Sequence, residues 1–190
     1  MFQMRNMISG ENNLRNELYN REGVMSDCVL AILNEDYAKE ICTWKYDEEY
    51  SVYNLSDWDL VVENGWDLAI KEKRESDFVA ILSDNELIAY GRLTVIQDKA
   101  FIVIGLKPSL CGQGIGGDVM KLLIAECSKR FPDCLIALEV RIFNTRAVRC
   151  YENIGFEIKK KCCKDTLTGN AEFYLMQYNS VEWRELNGNA

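Results

Sequence analysis

The hydrophobic pattern in the middle of the chain is typical of short antiparallel strands. Apolar runs over residues 78–82, 87–96 and 100–106 are separated mainly by the polar positions 84–85 and 97–99. Connections this short join strands that are neighbours in the sheet and antiparallel. The pattern therefore predicts a three-stranded antiparallel meander.

The second half of the chain changes to a helical period. Over residues 114–130, apolar side chains recur every three or four positions, and the segment ends on basic residues, which the helix dipole favours there. The pattern that follows predicts a strand, a helix and two further strands, at residues 135–140, 145–154, 156–162 and 172–178. Strands and helices arranged in this way indicate one α+β domain.

The N-terminal third is less regular. Residues 28–33 predict a short buried strand, and Asn34 or Asp36 is placed to cap a helix that continues to about residue 44. Residues 1–24 are polar and weakly patterned, so we expect an N-terminal extension there and a folded domain over residues 25–190. With 48% apolar residues, the chain can bury a substantial core.

Composition excludes several kinds of chemistry. The formal net charge is −8, which disfavours nucleic acids and anionic membranes as partners. The chain contains no histidine, which excludes Ser-His-Asp and Cys-His catalysis and histidine-ligated zinc. Carboxylates, tyrosines, lysines and cysteines remain as general acids and bases.

The number and spacing of the cysteines indicate the redox compartment of the protein. The eight cysteines form no CxxC pair, no secretory signal stands in front of them, and no apolar run is long enough to cross a bilayer. We expect reduced, mostly buried thiols in a cytoplasmic protein that has no metal site. A metal or redox role for the adjacent Cys162 and Cys163 stays open.

One stretch combines acidic and aromatic residues. Residues 46–70 contain seven carboxylates and no lysine or arginine, together with Tyr46, Tyr50, Tyr53 and Trp58. Carboxylates and aromatic faces both attract positive charge, so the stretch is a candidate wall of a cation site. The alternative is a solvated helical region over one edge of the core.

A glycine-rich segment, SLCGQGIGGDVM at residues 109–120, stands between a predicted strand and a predicted helix. A P-loop is excluded because no lysine follows these glycines. Gly112, Gly114 and Gly117 satisfy GxGxxG, with Glu139 about twenty residues further on, but a dinucleotide fold does not begin with an antiparallel meander. A third interpretation is that backbone N–H groups at a helix N-terminus bind the pyrophosphate of coenzyme A. A turn that binds no ligand is the fourth.

A downstream segment, LEVRIFNTRAVRCYENIGFE at residues 138–157, favours the third interpretation. Its specific residues follow the spacing N-x-x-A-x-x-x-Y-x-x-x-G-F, namely Asn144, Ala147, Tyr151, Gly155 and Phe156. Together with the glycine segment, it resembles the acetyl-CoA-binding half of the GNAT acetyltransferase superfamily, and the ribosomal-protein alanine N-acetyltransferases most closely. The resemblance covers residues 78–178 and is weaker over residues 25–77.

The resemblance implies a fold and an activity. The implied fold is a central mixed, mostly antiparallel sheet with helices on both faces. The implied function is transfer of an acetyl group from acetyl-CoA to a primary amine by direct attack, without a metal. The residues expected to bind the cofactor are Ile104, Gly105, Leu106, Gly112, Gln113, Gly114, Ile115, Gly116, Gly117 and Asn144. Cys111 stands where the family usually has arginine or glutamine, which removes one polar contact with the cofactor.

Two catalytic roles are expected. Tyr151 is the candidate general acid, because a phenol can protonate a leaving thiolate; a core tyrosine is the alternative. The resemblance makes Glu139 the candidate base for the acceptor ammonium, and a structural carboxylate is the alternative. Asp57, Asp59 or Glu63 are other candidate bases.

Several alternatives stay open. The chain is compatible with a non-catalytic acyl-CoA-binding or sensor module, a structural domain of GNAT shape, or a dinucleotide enzyme. The acceptor is either a small-molecule amine, such as a polyamine or an aminoglycoside, or a protein N-terminus. We expect neither a nucleic acid nor a membrane partner, and a homodimer is possible.

Overall fold

The computed structural model of the protein describes residues 28–166 and 169–179. The extension predicted at residues 1–24 lies outside them. The described chain forms one seven-stranded sheet. Its strands are β1 (Val29–Ile32), β2 (Phe78–Ser83), β3 (Glu86–Ile96), β4 (Lys99–Leu106), β5 (Leu135–Arg141), β6 (Phe156–Thr166) and β7 (Gly169–Tyr178).

The described helices alternate irregularly with these strands. The α-helices are α1 (Glu35–Thr43), α2 (Trp58–Glu63), α3 (Lys71–Asp77), α4 (Ile115–Arg130) and α5 (Thr145–Asn153), and short 3-10 helices span Glu48–Tyr53 and Pro108–Leu110. Asparagine side chains cap two of them: Asn34 accepts from the Tyr37 N–H at 2.8 Å and Asn144 accepts from the Ala147 N–H at 3.2 Å. The asparagines begin these helices because their oxygens satisfy otherwise unpaired N–H groups.

The sheet is mixed and mostly antiparallel. The strand order is β1-β2-β3-β4-β5-β7-β6, and β4 with β5 is the one parallel pair among the described strands. One face packs against α4 and α5 through residues such as Leu123 and Val148, and the other packs against α1 and α2 through Ile41 and Val61. The predicted fold is therefore confirmed. A dinucleotide fold, which needs a parallel sheet, is excluded.

The last two strands are longer than their sequences predict. We expected residues 156–162 and 172–178, whereas β6 continues to Thr166 and β7 begins at Gly169. Nearly all side chains of β6 are solvent-exposed, so no alternation of apolar and polar residues marks where the strand ends. Backbone pairing with β7 extends the hairpin beyond its hydrophobic part.

Strands β4 and β5 separate partway along their length, and this positions the site. Their register runs from Lys99 with Leu135 to Phe101 with Ala137 and stops there. Strand β4 continues to Leu106 and β5 to Arg141. The remaining halves of the two strands diverge and leave an opening between them.

Candidate active site

A cleft of about 720 Å³ lies in this opening. It is bounded by β4, the glycine segment, β5, α5 and the 3-10 helix Glu48–Tyr53. Ten of the predicted site residues line it: Ile104, Gly105, Leu106, Gly112, Gly114, Gly116, Gly117, Glu139, Asn144 and Tyr151. Gln113 and Ile115 do not line it, and the Gln113 side chain instead donates to the Ser109 carbonyl at 2.8 Å.

The edge of β4 that faces the cleft presents backbone groups that no described strand pairs. The Lys107 N–H donates to the Ile88 carbonyl in β3 at 2.9 Å, and in an antiparallel pair every second residue bonds to the same neighbour. The N–H and C=O of Ile104 and Leu106 therefore point away from β3, toward the cleft. The Leu106 carbonyl accepts a hydrogen bond from the Tyr46 hydroxyl at 2.8 Å.

The structure explains why position 105 is glycine, which the local sequence does not. We expected its backbone to face the cofactor together with Ile104 and Leu106, but the same alternation turns the Gly105 N–H and C=O toward Tyr90 of β3. A Cβ atom at Gly105 would lie 2.1 Å from Tyr90 Cε1. The register of β3 with β4 has no bulge there, so the Tyr90 ring lying across Gly105 is what requires glycine.

The Gly105→Ala variant is expected to lose about 1–3 kcal/mol of stability, because the added methyl group must displace the Tyr90 ring. Thermal unfolding of the single variant and of Gly105→Ala in a Tyr90→Ala background measures this coupling. We expect the alanine to cost little once the ring has been removed. An equal loss in both backgrounds would contradict the explanation.

The glycine segment presents a helix N-terminus to the cleft. Gly112 and Gly114 have φ values of +81° and +84°, which residues other than glycine adopt only with strain. Gly114 is the N-cap of α4. Gly116 and Gly117 lie in the first turn of α4 and line the cleft. The first N–H groups of a helix have no intrahelical acceptor and, with the helix dipole, bind anions.

Within the described part of the chain, no close packing requires glycine at either of the two helical positions. A Cβ atom at Gly116 would lie 3.6 Å from Cys150 Sγ, and one at Gly117 3.9 Å from the same atom, which is ordinary contact. Glycine inside a helix costs about 1 kcal/mol relative to alanine. Their open side faces the cleft, so these positions fit a bound phosphate group that approaches the backbone closely.

Cys111 lies at the start of this segment and lines the cleft. Its Sγ atom is 3.9 Å from the Leu106 carbonyl oxygen and 3.8 Å from the Lys107 carbonyl oxygen. Burial raises the pKa of the Cys111 thiol, and the nearby Arg146 guanidinium opposes that rise. A neutral thiol in this place gives the anion site no charged side-chain contact.

Tyr151 projects from α5 into the cleft. Its ring packs against Phe156, with centroids 6.1 Å apart. Burial raises the pKa of Tyr151 well above its usual value, and the neighbouring Cys150 and Tyr53 act in the same direction. The phenol therefore keeps its proton throughout the physiological pH range.

Glu139 lies on β5 and lines the cleft. Both of its carboxylate oxygens accept hydrogen bonds from Lys164 Nζ, at 2.5 and 2.6 Å. The other candidate bases, Asp57, Asp59 and Glu63, are exposed and do not line the cleft. Lys164 is a residue that sequence analysis missed, because β6 was predicted to end before it.

Three tyrosines form one side of the cleft, and we call Tyr46, Tyr50 and Tyr53 the tyrosine wall. Tyr46 and Tyr53 are in edge contact, with centroids 6.4 Å apart, and Tyr50 and Tyr53 both pack against Phe143. Asn144 Nδ2 donates to the Tyr53 hydroxyl at 3.2 Å. The Asn144 side chain therefore caps α5 and holds the wall at the same time.

The carboxylates of residues 46–70 do not belong to this wall. Six of them are exposed, and the seventh, Asp67, is half-buried and forms an ion pair with Arg92. Tyr46, Tyr50 and Tyr53 line the cleft, whereas Trp58 and the carboxylates do not. The cation site expected from combined carboxylates and aromatic rings therefore does not form in this cleft, which takes only tyrosines from the segment.

Residues 33–156 match the family model described as "Acetyltransferase (GNAT) family". The chain belongs to the GNAT acetyltransferase family. Its class is therefore that of acetyl-CoA-dependent N-acetyltransferases, and the resemblance stated from the sequence is confirmed. Acetyl transfer to amines is general for the family.

Solved structures with the same fold support the architecture. The ribosomal-protein-S18-alanine N-acetyltransferase from Escherichia coli is 20% identical, with a TM-score of 0.56 over 80% of this chain and 93% of that chain. A spermidine/spermine N-acetyltransferase from Vibrio cholerae, crystallised with manganese ions, is 18% identical, with a TM-score of 0.64 over 87% and 98%. At these identities the likeness shows the fold alone. No curated protein matches the chain in sequence.

No group of three or more cysteine, aspartate or glutamate side chains in residues 28–166 and 169–179 is arranged to hold a metal ion. None of the helices in these residues has the length and apolar character needed to span a membrane.

Proposed function

We propose that this cleft binds acetyl-CoA along β4 and the glycine segment, and that Tyr151 and Glu139 assist direct transfer of the acetyl group to a primary amine. The single observation that carries the proposal is that one opening brings together the unpaired backbone edge of β4, a helix N-terminus and a partly buried tyrosine, Tyr151. Family membership gives the reaction class, and this geometry supports the roles that we propose for the residues.

The binding half of the proposal rests on backbone groups. The N–H groups of Gly112, Gln113, Gly114, Ile115, Gly116 and Gly117 are assigned to the pyrophosphate. Ile104 is assigned to the pantetheine arm, since its N–H and C=O point into the cleft and would pair with an amide as an added strand does. Leu106 contributes its N–H, and Asn144 lies beside the same path.

The catalytic half concerns two proton transfers. Acetyl-CoA supplies the acetyl group as a thioester. Glu139 accepts a proton from the acceptor ammonium, directly or through water, so that the neutral amine nitrogen can attack the thioester carbonyl. As the C–N bond forms and the C–S bond breaks, Tyr151 donates its phenolic proton to the leaving sulfur. As the amide forms, the attacking nitrogen loses a second proton to solvent. Tyr151 regains its proton from solvent, and the first ammonium proton leaves through Glu139.

The alternative of an acyl-CoA-binding module without catalysis makes a different prediction. Purified protein incubated with isotopically labelled acetyl-CoA and a panel of primary amines should yield acetylated amine, detected by mass spectrometry, at a rate proportional to enzyme concentration. Tight acetyl-CoA binding without any acetylated product would favour the binding module. Three further expectations stay predictions. They are a cytoplasmic location, an acceptor that is either a small amine or a protein N-terminus, and a homodimer. One structural relative, a spermidine N-acetyltransferase, is dodecameric.

A further inference from the structure

The charges around the cleft differ from those that a polycationic acceptor needs. Glu139 is the one carboxylate among the described residues that line the cleft, and Arg146 and Arg149 line it as well. The Lys164 ammonium contacts both oxygens of Glu139. The described lining therefore offers no carboxylate that is not already matched by a cation.

The tyrosine wall presents ring surface more than hydroxyl groups. The Tyr46 hydroxyl donates to the Leu106 carbonyl, and the Tyr53 hydroxyl accepts from Asn144. The Arg146 guanidinium lies 4.8 Å from the centroid of the Tyr50 ring, so that ring already has a cation partner. An acceptor that lies against this wall meets mainly flat apolar surface.

Resting on the proposed function, we infer that the acceptor is a small amine with a single ammonium group on an uncharged aromatic body, and that Lys164 determines this specificity. Flat aromatic bodies pack favourably against tyrosine rings. A monoamine becomes neutral when it loses its proton to react. A diamine or polyamine keeps at least one positive charge. Lys164 already occupies Glu139, the one carboxylate of the described lining, so that charge finds no partner there and is repelled by Arg146.

The first test compares amines that differ in one feature. With the wild-type enzyme, kcat/KM for hexylamine should exceed that for hexamethylenediamine, which adds only a second ammonium group, by about tenfold or more. The kcat/KM for phenethylamine should in turn exceed that for hexylamine. A spermidine or hexamethylenediamine value equal to or above that of hexylamine would overturn the inference, as would a peptide N-terminus preferred to phenethylamine.

The second test uses Lys164 itself. Lys164→Gln should reduce the preference for hexylamine over hexamethylenediamine by about tenfold, mainly through a lower KM for the diamine. Lys164→Arg should retain the preference. Lys159→Gln is the matched control, because it removes the same charge from an exposed lysine of β6 that pairs with Glu157, and it should leave the preference unchanged. A preference that Lys164→Gln leaves intact would contradict the role of Lys164, whereas a merely structural role would change all amines alike.

Acetyl-CoA titration of the same preparations separates this inference from the function on which it rests. Acetyl-CoA bound together with a preference for polyamines would overturn the inference alone. Acetyl-CoA that does not bind, or binds without acetylating any amine, would overturn the proposed function and the inference with it.

Discussion

Tyr151→Phe is expected to lower kcat by about 10²–10⁴-fold, the range typical of a lost general acid, with little change in acetyl-CoA affinity. The variant removes only the phenolic oxygen and keeps the ring contact with Phe156. Steady-state kinetics with a saturating amine, together with calorimetric titration of acetyl-CoA, separates the two quantities. Turnover equal to that of the wild type would remove Tyr151 from the mechanism.

Cys150→Ser is the matched control for this experiment. Cys150 precedes Tyr151 on α5, also lines the cleft and has its thiol pKa raised by burial. Its Sγ atom lies near Gly116 and Gly117, and no role in proton transfer is assigned to it. We expect this variant to keep most of the wild-type kcat, so a large loss there would place a second group in the chemistry.

The raised pKa of Tyr151 also fixes a pH dependence. A phenol whose pKa lies above its usual value stays protonated to higher pH, so its ability to donate a proton is retained from neutral pH upward and is lost only in strongly alkaline solution. The wild-type kcat should therefore show no decline that depends on Tyr151 between pH 7 and about 9.5. A decline in that range that disappears in Tyr151→Phe would contradict the burial of this group.

Gly116→Ala is expected to change stability and cofactor affinity in opposite directions. Among the residues that the structure describes, the added methyl group meets only Cys150 Sγ at 3.6 Å, and alanine should stabilise α4 by about 0.5–1 kcal/mol. The same methyl group projects to the place assigned to the pyrophosphate, so acetyl-CoA affinity should fall, and a larger side chain in Gly116→Leu should abolish binding. Thermal unfolding and calorimetric titration measure the two effects.

Ala125→Gly is the reverse substitution at an exposed position in the middle of the same helix. It should lower the melting temperature and leave acetyl-CoA affinity unchanged. If Gly116→Ala stabilises the protein and binds acetyl-CoA as tightly as the wild type, the first turn of α4 does not contact the cofactor. Such a result would place the pyrophosphate elsewhere in the cleft.

Local chemistry was predictable from the sequence where a short segment determines its own structure. The caps at Asn34 and Asn144 and the glycine-rich start of α4 follow from hydrogen-bonding groups within four residues of each other. The meander of β2, β3 and β4 follows from apolar runs and short turns. These elements place the glycine segment and Tyr151 in one half of the site.

Contacts between distant segments were not predictable in this way. The Tyr90 ring that requires Gly105, the hydroxyl of Tyr46 on Leu106 and the ion pair of Lys164 with Glu139 each join residues on separate elements. No local pattern encodes them, since they depend on the register of strands and on how the 3-10 helix packs. Tyr46, Tyr90 and Glu139 all line the cleft, so these contacts help to shape it.

Calorimetric titration of the purified protein with acetyl-CoA, with NAD as the control ligand, tests the central claim most directly. The account predicts binding of acetyl-CoA that Gly116→Leu abolishes, and no binding of NAD. Failure of the wild type to bind acetyl-CoA, or equal binding of NAD, would contradict the assignment of this cleft to acetyl-CoA.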